Sequence, residues 1–147
     1  MRVSVKVTEI MVYITPIAEL CTMKDIATKE DVVLFVNAFY DKVRQDDLLA
    51  PIFDSKIPAE RWPAHLERMY LFWGGILFGN SEYVGNPFAH HRPLPVGEAH
   101  FERWVILFRG TIDELFRGEK AELAKHRAAS IAAIFLNKIM FERGLRQ

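Results

Sequence analysis

"YVGNPFAHHRPLP", residues 83–95, decides how the chain is read. Asn86 followed by Pro87 makes a helix cap and a first helical residue, because the missing proline N–H costs nothing in the first turn. Pro93 and Pro95 forbid continuation, since each removes a donor that a helix interior needs. The segment therefore holds about one to two turns at roughly 3.6 residues per turn. His90 and His91, two of the chain's five histidines, stand at its end. A histidine so placed either bonds a nearby carbonyl or presents a ring nitrogen to something else.

On both sides the spacing predicts longer helices. Thr28, with Asp31 three positions on, forms a possible capping box ahead of Val32, Val33, Phe35, Val36, Phe39, Tyr40 and Val43. "RQDD" and Pro51 close that helix, leaving "LLAPIFD" as a corner whose Leu48, Leu49, Ile52 and Phe53 turn inward. In "PAERWPAHLERMYLFWGGILFG", Pro63 suits a first turn, and His65, Met69, Phe72, Trp73 and Ile76 form one stripe. Gly74 and Gly75 in the same helix invite close approach by another element or by a flat ligand. After Gly97, Phe101, Trp104, Val105, Leu107, Phe108, Ile112 and Leu115 mark an amphipathic helix that ends by Gly118. A last helix, about 119–143, carries Leu123, Ile131, Ile134, Phe135, Ile139 and Phe141, with Gly144 as its stop.

Composition bounds the rest. The chain has 147 residues, enough for one domain, and half are hydrophobic, including 11 Phe and 3 Trp. Nineteen basic side chains balance 19 acidic ones, so nothing draws the protein generally to nucleic acid or anionic lipid. A lone Cys21 excludes an internal disulfide and a CxxC site. No run of 18 apolar residues offers a membrane span, and a cytoplasmic location is expected. Residues 2–7 alternate as a short strand does, with no evident strand partner, so residues 1–25 are read as an N-terminal extension.

An unusually aromatic all-α interior raises the question of a flat occupant. A porphyrin iron needs one axial imidazole and an apolar sleeve, with polar groups on the opposite side setting reactivity. His91, on a short segment, suits the first requirement. His65, Met69 and Tyr40 suit the opposite side. From the residues alone, ordinary core packing explains the aromatics equally well.

"FYDKVRQDDLLAPIF", "WPAHLERMYLFWGGILFG", "YVGNPFAHHRPLP" and "HFERWVILF", in this order, resemble the truncated globins, most of all their third group. The resemblance covers roughly residues 26 to 143 and implies, for 26–147, a reduced globin fold with two helices stacked across two around haem b. It further implies that His91 is the iron ligand and that His90 is its non-ligating neighbour. By the same resemblance Tyr40 and His65 are distal polar groups, Phe53 packs on the haem, Met69, Phe72 and Trp73 belong to the distal helix, and Trp104 lies beside the proximal face.

The expected function is binding of dioxygen, nitric oxide or another diatomic ligand, with nitric oxide dioxygenation as one use. The absence of a GxGxxG segment implies an external electron donor. Peroxidase-like turnover or ligand sensing is an alternative within the haem reading, and a haem-free interaction module is one outside it. Zinc is disfavoured, because adjacent His90 and His91 lack a ligand spacing and no cysteine joins them. His100 and His126 receive no role.

Overall fold

The computed structural model describes residues 23–144, and every regular element among them is helical. Helix α1 spans Lys29–Val43, α2 Ala50–Lys56, α3 Trp62–Phe78, α4 Pro87–His91, α5 Glu98–Leu115 and α6 Glu119–Glu142, with a 3₁₀ turn at Ala59–Arg61 before α3. The strand-like alternation at residues 2–7 and Cys21 lie outside the described residues.

The start of α1 follows its sequence signal. Thr28 Oγ1 accepts from Asp31 N at 3.2 Å, and Asp31 Oδ2 accepts from Thr28 N at 3.0 Å, so two donors that the helix leaves orphaned are satisfied reciprocally. Asp31 does more than close this box. Burial opposes its charge, but Lys24 Nζ at 2.7 Å and the N–H groups of Ala27 and Thr28 outweigh that penalty and lower its pKa to about 2.

Helices α1 and α3 pack together, as do α5 and α6, and α1–α5 and α3–α6 contacts join the pairs. The result is an all-α bundle consistent with a globin fold. Its centre is aromatic. Phe108 stacks on Trp73 at 4.6 Å between centroids and on Trp104 at 5.6 Å, while Phe35 and Phe39 meet it edge-on. Phe35, Phe39 and Phe108 are fully buried, each worth about 1.5–3 kcal/mol of apolar transfer.

Several local expectations are revised. The "LLAPIFD" corner contains a true helix, α2, because Pro51 falls in its first turn, where no N–H partner is lost. In α6 the core face is made by Ala121, Ala124, Ala128, Ala132 and Ile139, while Ile134 and Phe141 are exposed. Small residues on that face let α5 and α6 lie close. The neighbour that Gly75 accommodates is the chain's own Asn80, whose carbonyl oxygen would stand 3.0 Å from an added Cβ, rather than a separate element or ligand. His100 has a local use: its Nδ1 accepts from Gly97 N at 3.2 Å at the start of α5.

A long-range cap joins the start of the described chain to the start of α6. Asp25 accepts from Lys120 N and Ala121 N, both at 2.9 Å, and so serves the first turn of α6 from about 95 residues away. Gly118, at φ +145°, makes room for it, since a Cβ there would lie 2.5 Å from Asp25 Cγ. Lys24 O also accepts from Arg117 N at 3.0 Å.

Candidate functional site

The short helix α4 starts as its sequence directs, with Asn86 Oδ1 accepting from Ala89 N at 3.3 Å. It delivers its two histidines to different surroundings. His90 is exposed, whereas His91 is half-buried with its ring 4.9 Å from that of Phe135 on α6. His91 Nδ1 lies 2.6 Å from Pro87 O. A carbonyl oxygen only accepts, so Nδ1 carries the proton and Nε2 keeps its lone pair. Nε2 has no hydrogen-bond partner among the described residues. Burial lowers the pKa of this imidazole, Pro87 O raises it, and His90 adds to the lowering.

In a separate group, α1, α2 and α3 bring together Tyr40, Phe53 and His65. The ring of Tyr40 meets His65 edge-on at 5.2 Å and Phe53 at 5.9 Å. Trp62, which the sequence reading did not single out, completes the group at 5.7 Å from Tyr40 and 5.4 Å from His65, with Arg44 lying over its other surface at 4.5 Å. Its position one turn before His65, on the same helical stripe, was the available signal.

One buried side-chain polar atom here, His65 Nε2, makes no hydrogen bond among the described residues. Such an atom ordinarily costs about 1–3 kcal/mol, so it points to an occupant outside the polypeptide. Burial lowers the His65 pKa to about 4, assisted by Arg68, His91 and His90. The ring is therefore neutral near pH 7. Tyr40 is buried, which pushes its phenol well above the ordinary range and keeps it protonated as a donor.

The remaining expected site residues divide into two sets. Met69 and Phe72 are half-buried on α3 against the core. Trp73 is buried within the core, against Phe108 and Phe35. Trp104 stacks on Phe108 and meets Phe39 at 5.5 Å. Phe88 and Phe135, neither of which the sequence reading gave a place in the site, pack at the His91 segment. Arg68 reaches toward the Tyr83 ring, at 6.0 Å, and has no carboxylate partner among the described residues. On the outer side of Tyr40, a cavity of about 290 Å³ opens between α1 and α3, lined in part by Asn37, Arg44, Trp62 and Tyr70.

This donor set fits an iron porphyrin. Among the described residues no group of three or more His, Cys, Asp or Glu side chains is assembled for a bare metal ion. A porphyrin brings four nitrogens of its own and asks the protein for an axial imidazole, which His91 Nε2 offers. Among the described residues, no helix is long and apolar enough to cross a membrane.

Comparison with known proteins places the chain in a family. Residues 23–138 match the family described as Bacterial-like globin. The chain is 33% identical over 114 residues to the Group 3 truncated hemoglobin ctb of Campylobacter jejuni, spanning 76% of this chain and 90% of that protein. It also superposes on the crystal structure of group III truncated hemoglobin from Campylobacter jejuni with a TM-score of 0.73 at 33% identity, covering 80% of this chain and 95% of the other.

Proposed function

The chain belongs to the group III truncated haemoglobins, and from that premise we propose that it holds haem b on His91 and binds a diatomic ligand on the side of Tyr40 and His65. One observation carries this reading. Pro87 O fixes the His91 tautomer with Nε2 unprotonated, while half-buried His65 keeps its own buried Nε2 without a hydrogen-bond partner among the described residues. A hydrogen bond to the non-ligating nitrogen orients an axial histidine and raises its basicity.

Haem supplies an iron that takes up dioxygen or nitric oxide and exchanges electrons with it. The polypeptide supplies the surroundings. In this proposal the protonated phenol of Tyr40 donates to a ligand bearing partial negative charge, and neutral His65 contributes a second polar contact. Phe53, Met69 and Phe72 would give the apolar wall on that side, with Trp73 beside Phe72, and Trp104 would lie on the His91 side. Arg68, free of an ion-pair partner among the described residues, would be available to a haem propionate for a charge-assisted bond. The two close helix pairs would supply the two-on-two frame that holds the group.

Two polar groups beside the ligand suit oxygen chemistry better than oxygen storage, and we take the reaction to be nitric oxide dioxygenation. Nitric oxide, dioxygen and one electron give nitrate, the electron coming from an external donor. The decisive measurement is the absorption spectrum of purified protein and of His91→Ala in oxidised, reduced and carbon monoxide-bound forms. A Soret band that His91→Ala abolishes or severely weakens is expected; haem retention with unchanged spectra in the variant rejects His91 as ligand. Rapid nitrate formation from nitric oxide in oxygenated solution supports dioxygenation, whereas accumulation of an oxidised species with peroxide alone favours peroxidase-like turnover.

A further inference from the structure

We propose that Arg143 is a positioning residue for His91: through the loop that follows α4, the last turn of α6 sets where that imidazole stands. The inference rests on the haem reading above and adds to it a residue remote from the haem.

The reason begins with the two prolines. Pro93 and Pro95 leave the 92–96 segment short of N–H donors, so it cannot hold its own carbonyls in a regular ladder. Leu94 N bonds His91 O at 3.0 Å and Val96 N bonds Leu94 O at 2.9 Å, which exhausts the local supply. Arg143 brings donors from outside the loop, the only one for Val96 O among the described residues and a second for Leu94 O. Its Nη1 donates to Val96 O at 2.7 Å and its Nη2 to Leu94 O at 2.6 Å, one planar fork closing on two carbonyls of the same loop. Val96 is buried, so its carbonyl has little water to turn to if the guanidinium is removed.

The fork is one part of a continuous face. Phe135, Lys138, Glu142 and Arg143 follow helical spacing on α6. Phe135 packs on His91 and Phe88, Lys138 lies 4.9 Å over the Phe88 ring, and Glu142 pairs with Arg92 at 2.8 Å. The segment carrying the imidazole is thus gripped at residues 88, 91, 92, 94 and 96. Ending α6 does not require the guanidinium, because Arg143 N bonds Ile139 O at 3.1 Å and Gly144 N bonds Phe141 O at 3.1 Å. Those backbone bonds survive substitution of the side chain.

The test compares haem-loaded wild type with Arg143→Ala and Arg143→Lys. It reads the iron–histidine stretching band of the reduced protein by resonance Raman, together with the rate of haem transfer to excess apomyoglobin. Arg143→Ala is expected to shift or broaden the band and to speed haem transfer roughly tenfold, as loss of an outer support of a ligating histidine does. Arg143→Lys falls between, because one ammonium cannot reproduce the fixed fork. A wild-type band and rate in Arg143→Ala overturn the proposal. If that variant loses helix by circular dichroism, Arg143→Lys decides alone: an unchanged band overturns the proposal and a shifted one supports it. Failure of the wild type to take up haem rejects the functional reading and this inference together, whereas a loaded wild type with an indifferent Arg143→Ala rejects only the inference.

Discussion

The imidazole of His91 donates from Nδ1 to the carbonyl oxygen of Pro87, four residues earlier, at 2.6 Å. The acceptor belongs to the residue that opens the same five-residue helix, so the ring is fixed by the helix it terminates. Adjacent His90 is exposed and lacks this constraint. His90→Ala is expected to keep the Soret band and its reduced, carbon monoxide-bound form, in contrast to His91→Ala. Equal loss of haem in the two variants would contradict the assignment.

Tyr40 is buried and protonated, and no described residue accepts from its phenol. A ligand on iron is the acceptor in the proposed function, so Tyr40→Phe removes about one hydrogen bond. At about 1 kcal/mol this corresponds to roughly fivefold faster oxygen release. Stopped-flow dissociation kinetics measure it, and an unaltered off-rate removes Tyr40 from the distal role.

His65 gives the protein a dependence on acid. Its folded pKa is lowered from 6.5 to about 4, chiefly by burial. Between those values the unfolded chain binds a proton that the native chain does not, so stability falls as pH drops through this window and levels off below it. The His91 shift acts in the same direction in apoprotein. His65→Leu is expected to flatten, without abolishing, the decline of the apoprotein urea midpoint from pH 6.5 to 4; an identical pH profile in wild type and variant excludes the coupling.

Asp25 is bonded to Lys120 N and Ala121 N, and its loss strips the first turn of α6 of two acceptors. Asp25→Ala is expected to cost about 1–2 kcal/mol in chemical denaturation, the upper part of the range for helix caps. Gly118→Ala should cost more, because it adds a Cβ at φ +145° and drives it into the Asp25 carboxylate. Midpoints in the reverse order would show that the close approach is relaxed at little expense.

Phe108 links Trp73, Trp104, Phe35 and Phe39 at the centre of the bundle. Phe108→Ala is expected to destabilise the fold by about 3–5 kcal/mol, combining lost transfer energy with a cavity. Calorimetry of the haem-free protein reads this directly, and a loss below 1 kcal/mol would place the folding energy elsewhere.

What the chain announces locally was legible. Thr28 with Asp31, Asn86 with Pro87, and Gly144 at φ +69° mark helix ends through bonds or backbone geometry spanning a few residues. Helical spacing also placed Tyr40, His65 and Met69 on the inner faces of their helices. Partners chosen across the fold were not legible. Nothing beside Asp25 signals that its acceptors serve α6, and nothing near Arg143 signals that its donors go to a loop nearly fifty positions back. The alanine face of α6 was hidden for a different reason: large apolar residues dominate a periodicity count, yet helix proximity favours the small ones.

The bond between Asp25 and the start of α6 bears on how the protein is made. Its acceptor leaves the ribosome early and its donors emerge only after α5, so this closure comes late in synthesis. Until Ala121 has been added, the carboxylate of Asp25 lacks both of its α6 donors.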